Sequence, residues 1–194
     1  MNRRILLMAA LVAAACVTSA RAGMIPTQVS VTPDGSNFRW TYGVVVTTDV
    51  NVNPGDSFTI YDFGSLVNGS IVAPAGWTAS TQNTGPARNG TNPLDDPTIP
   101  NLTFTYNGST PIQGQAGLGN FWALSTSNGT DPSQFTSTTH RQIDGRIETN
   151  ITSTDVPHKQ GAPPINGTPE PATLALLGVG LPLIGLARWL RSRK

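Results

Sequence analysis

Two imidazoles, His140 and His158, are the chain's only neutral-pH bases or nitrogen ligands. A Ser-His-Asp relay built across distant strands would have to use one of them, since such relays are spatial and need no fixed spacing. No serine in the body has glycine two residues away on both sides, so the nucleophile elbow of hydrolases is missing. Asp95 and Asp96 supply paired carboxylates, the chemistry of glycoside cleavage. Neighbouring residues of an extended chain point apart, however, and Asp-Asp-Pro is an ordinary turn opener. The run Asp49-Val50-Asn51-Val52-Asn53-Pro54-Gly55-Asp56 resembles the start of a calcium loop. Pro54 stands where that loop needs glycine, and Ile60 where it needs a bidentate acid. Gly114 to Gly119 has the wrong order for a dinucleotide fingerprint and reads as a tight loop. These readings leave no catalytic residue, metal ligand or cofactor to assign, and the chain is expected not to be an enzyme. The remaining chemistry is aromatic. Trp40, Trp77 and Trp122 are core side chains or sugar-stacking platforms, and Trp77, beside Ser80 and Thr81, is the best candidate for a glycan contact.

The elements that must hold these residues are strands. Phe38 to Tyr42, Ser57 to Phe63, Asn101 to Tyr106 and Arg146 to Ile151 alternate apolar and polar residues, the period of a half-buried strand. Val44-Val45-Val46 adds β-branched residues. Proline and glycine recur too often for long helices. Asn-Gly pairs begin at Asn68, Asn89, Asn107, Asn128 and Asn166, and tight turns favour them. Most of the seven Asn-X-Ser/Thr triplets are explained by this turn chemistry rather than by glycosylation. Pro54-Gly55-Asp56 predicts a further turn before Ser57. Gly76 to Thr98 reads as an extended loop region. The expected fold is all-β, an antiparallel sandwich or jelly-roll-like domain over residues 23–154, followed by a linker over 155–168.

Charge separates this body from both ends. Residues 23–168 hold ten acids against five basic residues, a net charge of about −5, so a nucleic-acid partner is not expected. Arg3 and Arg4 precede an apolar run from Ile5 to Val17, and Ala20-Arg21-Ala22 offers the small residues a signal peptidase requires. Residues 1–22 therefore predict a signal peptide cut between Ala22 and Gly23, which also removes Cys16, the sole cysteine. Lipoprotein processing at Cys16 is the alternative. At the other end, Ala172 to Ala187 carries no charge and would span roughly 24 Å as a helix, at about 1.5 Å per residue. Trp189 and Leu190 extend it, so a membrane span is predicted over about 172–190. Arg191, Arg193 and Lys194 would be held on the cytoplasmic side.

Directly before this span stand Pro169, Glu170 and Pro171. A Pro-Glu-Pro motif, a short apolar helix and a basic tail at the extreme C-terminus together resemble a PEP-CTERM sorting signal, here over residues 169–194. The resemblance implies handling by an exosortase, a membrane protease-transpeptidase of Gram-negative bacteria that make exopolysaccharide. The two prolines would hold the motif extended outside the membrane, within reach of a peptidase. Permanent anchoring by the span is the alternative to cleavage. The body is also similar, through Trp40-Thr41-Tyr42, Pro54 to Phe63 and Asp95 to Tyr106, to exported proteins with the same tail, which supply no activity to transfer. The expected protein is exported through the inner membrane and anchored there before processing. Afterwards it is expected at the cell surface or outside, as a non-enzymatic envelope or matrix component associated with exopolysaccharide. A carbohydrate-binding module is the alternative, and a secreted hydrolase using His140 or Asp95 a more distant one.

Overall fold

Asp34-Gly35-Ser36-Asn37 makes the first reversal of the chain, with Gly35 at a φ of +62°, a conformation that costs glycine nothing. It joins β1 (Met24–Asp34) to β2 (Asn37–Val46), and β7 (Gly117–Ser125) pairs with the other edge of β2 to complete a three-stranded sheet. The computed structural model describes residues 23–158, and these lie in the first of two compact units, Met1–Gly161 and Ala162–Lys194. The second sheet holds β3 (Val50–Asn51), β4 (Ser57–Ile60), β5 (Trp77–Gln82), β6 (Asn101–Tyr106), β8 (Thr130–Arg141) and β9 (Ile147–Pro157). All its pairings are antiparallel. β8 takes β9 along one edge and β4 then β3 along the other, while β6 and β5 continue beyond β4.

Period-2 patterning decides which side faces in. On β2, Trp40, Tyr42, Val44 and Val46 are buried, and the residues between them are not. Phe58 of β4 stacks on Phe104 and Phe135 of its own sheet, each at 5.0 Å between ring centres. It also meets Phe121 of the three-stranded sheet edge to face at 4.7 Å. That contact joins the two sheets through one aromatic core, and an offset or edge-on aromatic pair adds about 0.5–1.5 kcal/mol beyond its buried area. The architecture is the expected all-β antiparallel one, with two sheets face to face.

Several details depart from the sequence reading. The stretch expected as a loop from Gly76 contains β5, an edge strand whose last five residues are exposed on both faces and so carry no alternation. The linker expected from Asp155 starts later. β9 continues to Pro157, Val156 is fully buried, and the Asp155 carbonyl accepts a hydrogen bond from Tyr42 Oη at 3.0 Å. Part of the glycine cluster at 114–119 belongs to β7, where the register slips between Val44 and Val45 and Gly119 takes a φ of +97°. Asn68-Gly69 and Asn89-Gly90 do form turns. Asn107-Gly108 and Asn128-Gly129 do not. Their glycines are required by space, since a Cβ would lie 2.0 Å from Tyr106 Oη in one case and 1.8 Å from the His158 ring in the other. Asn166-Gly167 lies outside the described residues.

Candidate functional site

A row of threonines lines the outer face of the six-stranded sheet. Thr59 of β4, Thr103 of β6 and Thr136 of β8 are cross-strand partners, directed away from the layer of Phe58, Phe104 and Phe135. Thr59 and Thr103 share a hydrogen bond of 2.9 Å. Arg88 lies across this row. Its Nε donates to Thr136 Oγ1 at 3.1 Å, one terminal nitrogen to Thr138 Oγ1 at 2.7 Å and the other to Thr59 Oγ1 at 3.1 Å. A planar fork with fixed donors suits three hydroxyls on neighbouring strands. Burial lowers the guanidinium's pKa from its ordinary value, while the charges of Tyr61 and Asp56 oppose that shift.

The segment bearing Arg88 is tied down on both sides. Tyr61 Oη donates to the Pro86 carbonyl at 3.0 Å, and burial raises its pKa. Thr149 Oγ1 of β9 donates to the Asn89 carbonyl at 2.6 Å. Asp95, weighed above as a catalytic acid, accepts from Gly85 N at 2.7 Å and from Asn101 Nδ2 at 2.8 Å. Asp96 accepts from Thr98 N at 3.0 Å, and its own N–H donates to Asp62 Oδ1 at 2.8 Å. Both carboxylates therefore organise the strap that crosses the sheet.

His140 meets a buried acid in the turn before β4. Its Nδ1 lies 2.9 Å from Asp56 Oδ2, and Asp56 is only 3% exposed. Desolvation raises the Asp56 pKa; hydrogen bonds from Asn53 N and His140 and the charge of Arg88 pull the other way. Asp56 is thus engaged by its own turn and by His140, whereas Asp49 at the start of the calcium-like run is exposed. His158, expected in the linker, pairs through Nδ1 with Asp131 at 2.7 Å. Among the described residues neither imidazole is hydrogen-bonded to a hydroxyl, and no group of three His, Cys, Asp or Glu is placed to hold a metal.

Trp77, expected as a glycan contact, faces the core. It is 9% exposed and its ring packs at 5.7 Å from Phe58, 5.3 Å from Tyr106 and 5.1 Å from Phe121. The neighbours Ser80 and Thr81 are exposed, but they follow it along a strand whose first residue turns inward. The half-exposed tryptophan is Trp122, opposite Thr41 on the outer face of the three-stranded sheet. The Arg39 guanidinium sits 4.3 Å from its ring centre, and Asp34 Oδ2 accepts from Arg39 Nε at 3.0 Å. Arg88 escaped the sequence reading altogether. The available signal was its isolation, since it is the only basic residue between Arg39 and Arg141.

Gly23, the residue expected after the signal cut, is described and buried. Ala20, Ala22, Pro169, Glu170, Pro171 and the expected span over 172–190 lie outside the described residues. For that end of the chain the comparison with protein families is informative: residues 168–194 match the family model of the PEP-CTERM protein-sorting motif. No curated protein matches the chain. The motif marks an exported protein whose tail associates with the membrane and is processed by an exosortase.

Proposed function

We propose that the mature protein is a non-enzymatic component of the cell surface or extracellular matrix, held with exopolysaccharide once an exosortase has processed its tail. The observation that carries this reading is the sorting motif at residues 168–194. The body supports it. Its polar face is closed by the Arg88 strap, and the candidate carboxylates Asp95 and Asp96 accept hydrogen bonds from the fold itself. A net charge of about −5 keeps such a domain soluble and away from anionic membrane surfaces once the basic ends are gone. Signal peptidase acts on the N-terminal leader, exosortase on the tail, and no nucleic acid takes part. Deleting Pro169 to Pro171 and fractionating the cells tests the proposal. The deletion should hold the protein in the membrane fraction, while the wild type moves to the surface or the medium bound to polysaccharide. Identical distributions would refute it.

A second reading, a carbohydrate-binding module, is favoured by one observation: Trp122 is half-exposed and held by Arg39 on the outer face of the three-stranded sheet. The contact would lie there and not at Trp77. Retention on immobilised exopolysaccharide should then fall with Trp122→Ala. Unchanged retention would dismiss this reading and leave the sorting proposal intact.

A further inference from the structure

Gly23 and Met24 are held by hydrogen bonds from three elements of the fold. The Gly23 N–H donates to Thr47 Oγ1 at 2.8 Å, and its carbonyl accepts from Thr47 N at 3.0 Å. A Cβ on Gly23 would stand 2.9 Å from Asn150 Cβ, closer than side chains tolerate, and a tight 3.1 Å from Ser137 Oγ. Met24 is fully buried. Its N–H donates to Ser137 Oγ at 3.2 Å, and its carbonyl accepts from Ser137 Oγ at 3.0 Å and Asn150 Nδ2 at 3.3 Å. Two residues thereby tie the end of β2 to β8 and β9.

These contacts hold the two residues that directly follow the bond at which the leader is expected to be cut. Hydrolysis of Ala22–Gly23 consumes one water, leaves a carboxylate on Ala22 and converts Gly23 N from an amide to a primary amine. We infer that Thr47, Ser137 and Asn150 form a receptor for the chain's own processed N-terminus, so that leader removal completes the fold as well as releasing the protein. The new amine has more donors than Thr47 Oγ1 alone can satisfy. Thr139 lies two residues beyond Ser137 on the same face of β8, and its hydroxyl is buried without a hydrogen-bond partner. β8 continues from there to Arg141, which pairs with Val50, three residues past Thr47. The unpaired hydroxyl therefore lies on the stretch of β8 between Ser137, which holds Met24, and Arg141, and it is the acceptor we assign to a second N–H of the amine.

The receptor is selective in three ways. It has no room for a side chain at residue 23, trimming past Met24 would remove a core residue, and a cut at Cys16 would leave a seven-residue extension at a buried site. The full-length chain, expressed in an exporting host and purified from outside the inner membrane, tests the assignment. N-terminal sequencing should begin at Gly23. An amine-reactive ester should label that terminus at least about 10-fold more slowly in the native protein than in urea, with the Lys159 ε-amine as internal standard, because labelling then requires local opening. Thr139→Val should reduce this protection, and Gly23→Ala should lower the melting temperature. If Gly23→Ala fails to fold, labelling of the wild type still decides. A different N-terminal residue, equal labelling in native and unfolded protein, or full protection in Thr139→Val would overturn the inference.

Discussion

Replacing Trp77 by alanine separates a core role from a surface role. The side chain is 9% exposed, and three aromatic neighbours lie 5.1 to 5.7 Å from its ring. Truncating a buried tryptophan to alanine typically costs about 3–5 kcal/mol, part of it from the cavity left behind. β5 is an edge strand and can settle into some of that space, which favours the lower end, about 3 kcal/mol. For a domain of this size, at about 3–4 °C per kcal/mol, the midpoint should drop by about 10 °C. Trp122→Ala removes a half-exposed ring and one cation–π contact, a loss of only about 1 kcal/mol. Urea and thermal unfolding followed by far-UV circular dichroism measure both, since removing a tryptophan alters the fluorescence itself. A Trp77→Ala protein within about 0.5 kcal/mol of wild type would refute the core assignment, because surface substitutions fall in that range. So would a Trp122→Ala variant that loses more.

Three further predictions address the packing, the strap and the buried acid. Gly64→Ala would drive a Cβ to 2.2 Å from the His158 carbonyl oxygen and 2.5 Å from that of Pro157, while Gly129→Ala would meet only the His158 ring. Urea midpoints should rank Gly64→Ala below Gly129→Ala, each losing at least about 1–3 kcal/mol, and the reverse order would contradict the described end of β9. Arg88→Met removes the hydrogen bonds that the guanidinium makes to Thr59, Thr136 and Thr138 and should speed limited proteolysis between residues 83 and 98, with Arg88→Lys intermediate; unchanged cleavage would show that Arg88 does not hold the strap. Burial raises the Asp56 pKa in the folded state, so the folded protein binds this proton more tightly than the unfolded chain. Its contribution to stability is present in full below the ordinary aspartate range and is lost as pH rises through the raised value. Relative to Asp56→Asn, the wild type should therefore gain stability on acidification through that window, and a relative loss would reverse the sign of the argument.

The sequence made most of the fold legible where one face of a strand is buried. Trp40, Tyr42 and Val44 on β2, and Leu102, Phe104 and Tyr106 on β6, announce their strands by alternation. β5 stayed hidden because an edge strand exposed on both sides needs no apolar period, and Trp77 consequently looked like a loop residue. The end of β9 was hidden for a related reason. Thr152 to Pro157 is polar and ends in proline, and its burial comes from partners far away in sequence, such as Tyr42. Aromatic residues alone could not say which tryptophan faced solvent, since that depends on which sheet face each strand presents. The threonine row and Arg88 depend on register across three strands, which composition does not encode. The two ends were legible for the opposite reason: sorting signals are read by other proteins as linear patterns, so Pro169-Glu170-Pro171 and its basic tail need no fold to be recognised.

The most direct test of the central claim is the intact mass of the protein recovered from the cell surface or medium. Processing by an exosortase predicts a C-terminus near Pro169 to Pro171, with the apolar segment and the basic residues from Arg188 to Lys194 absent. A mass that still includes Lys194 would contradict the account and leave the tail as a permanent anchor.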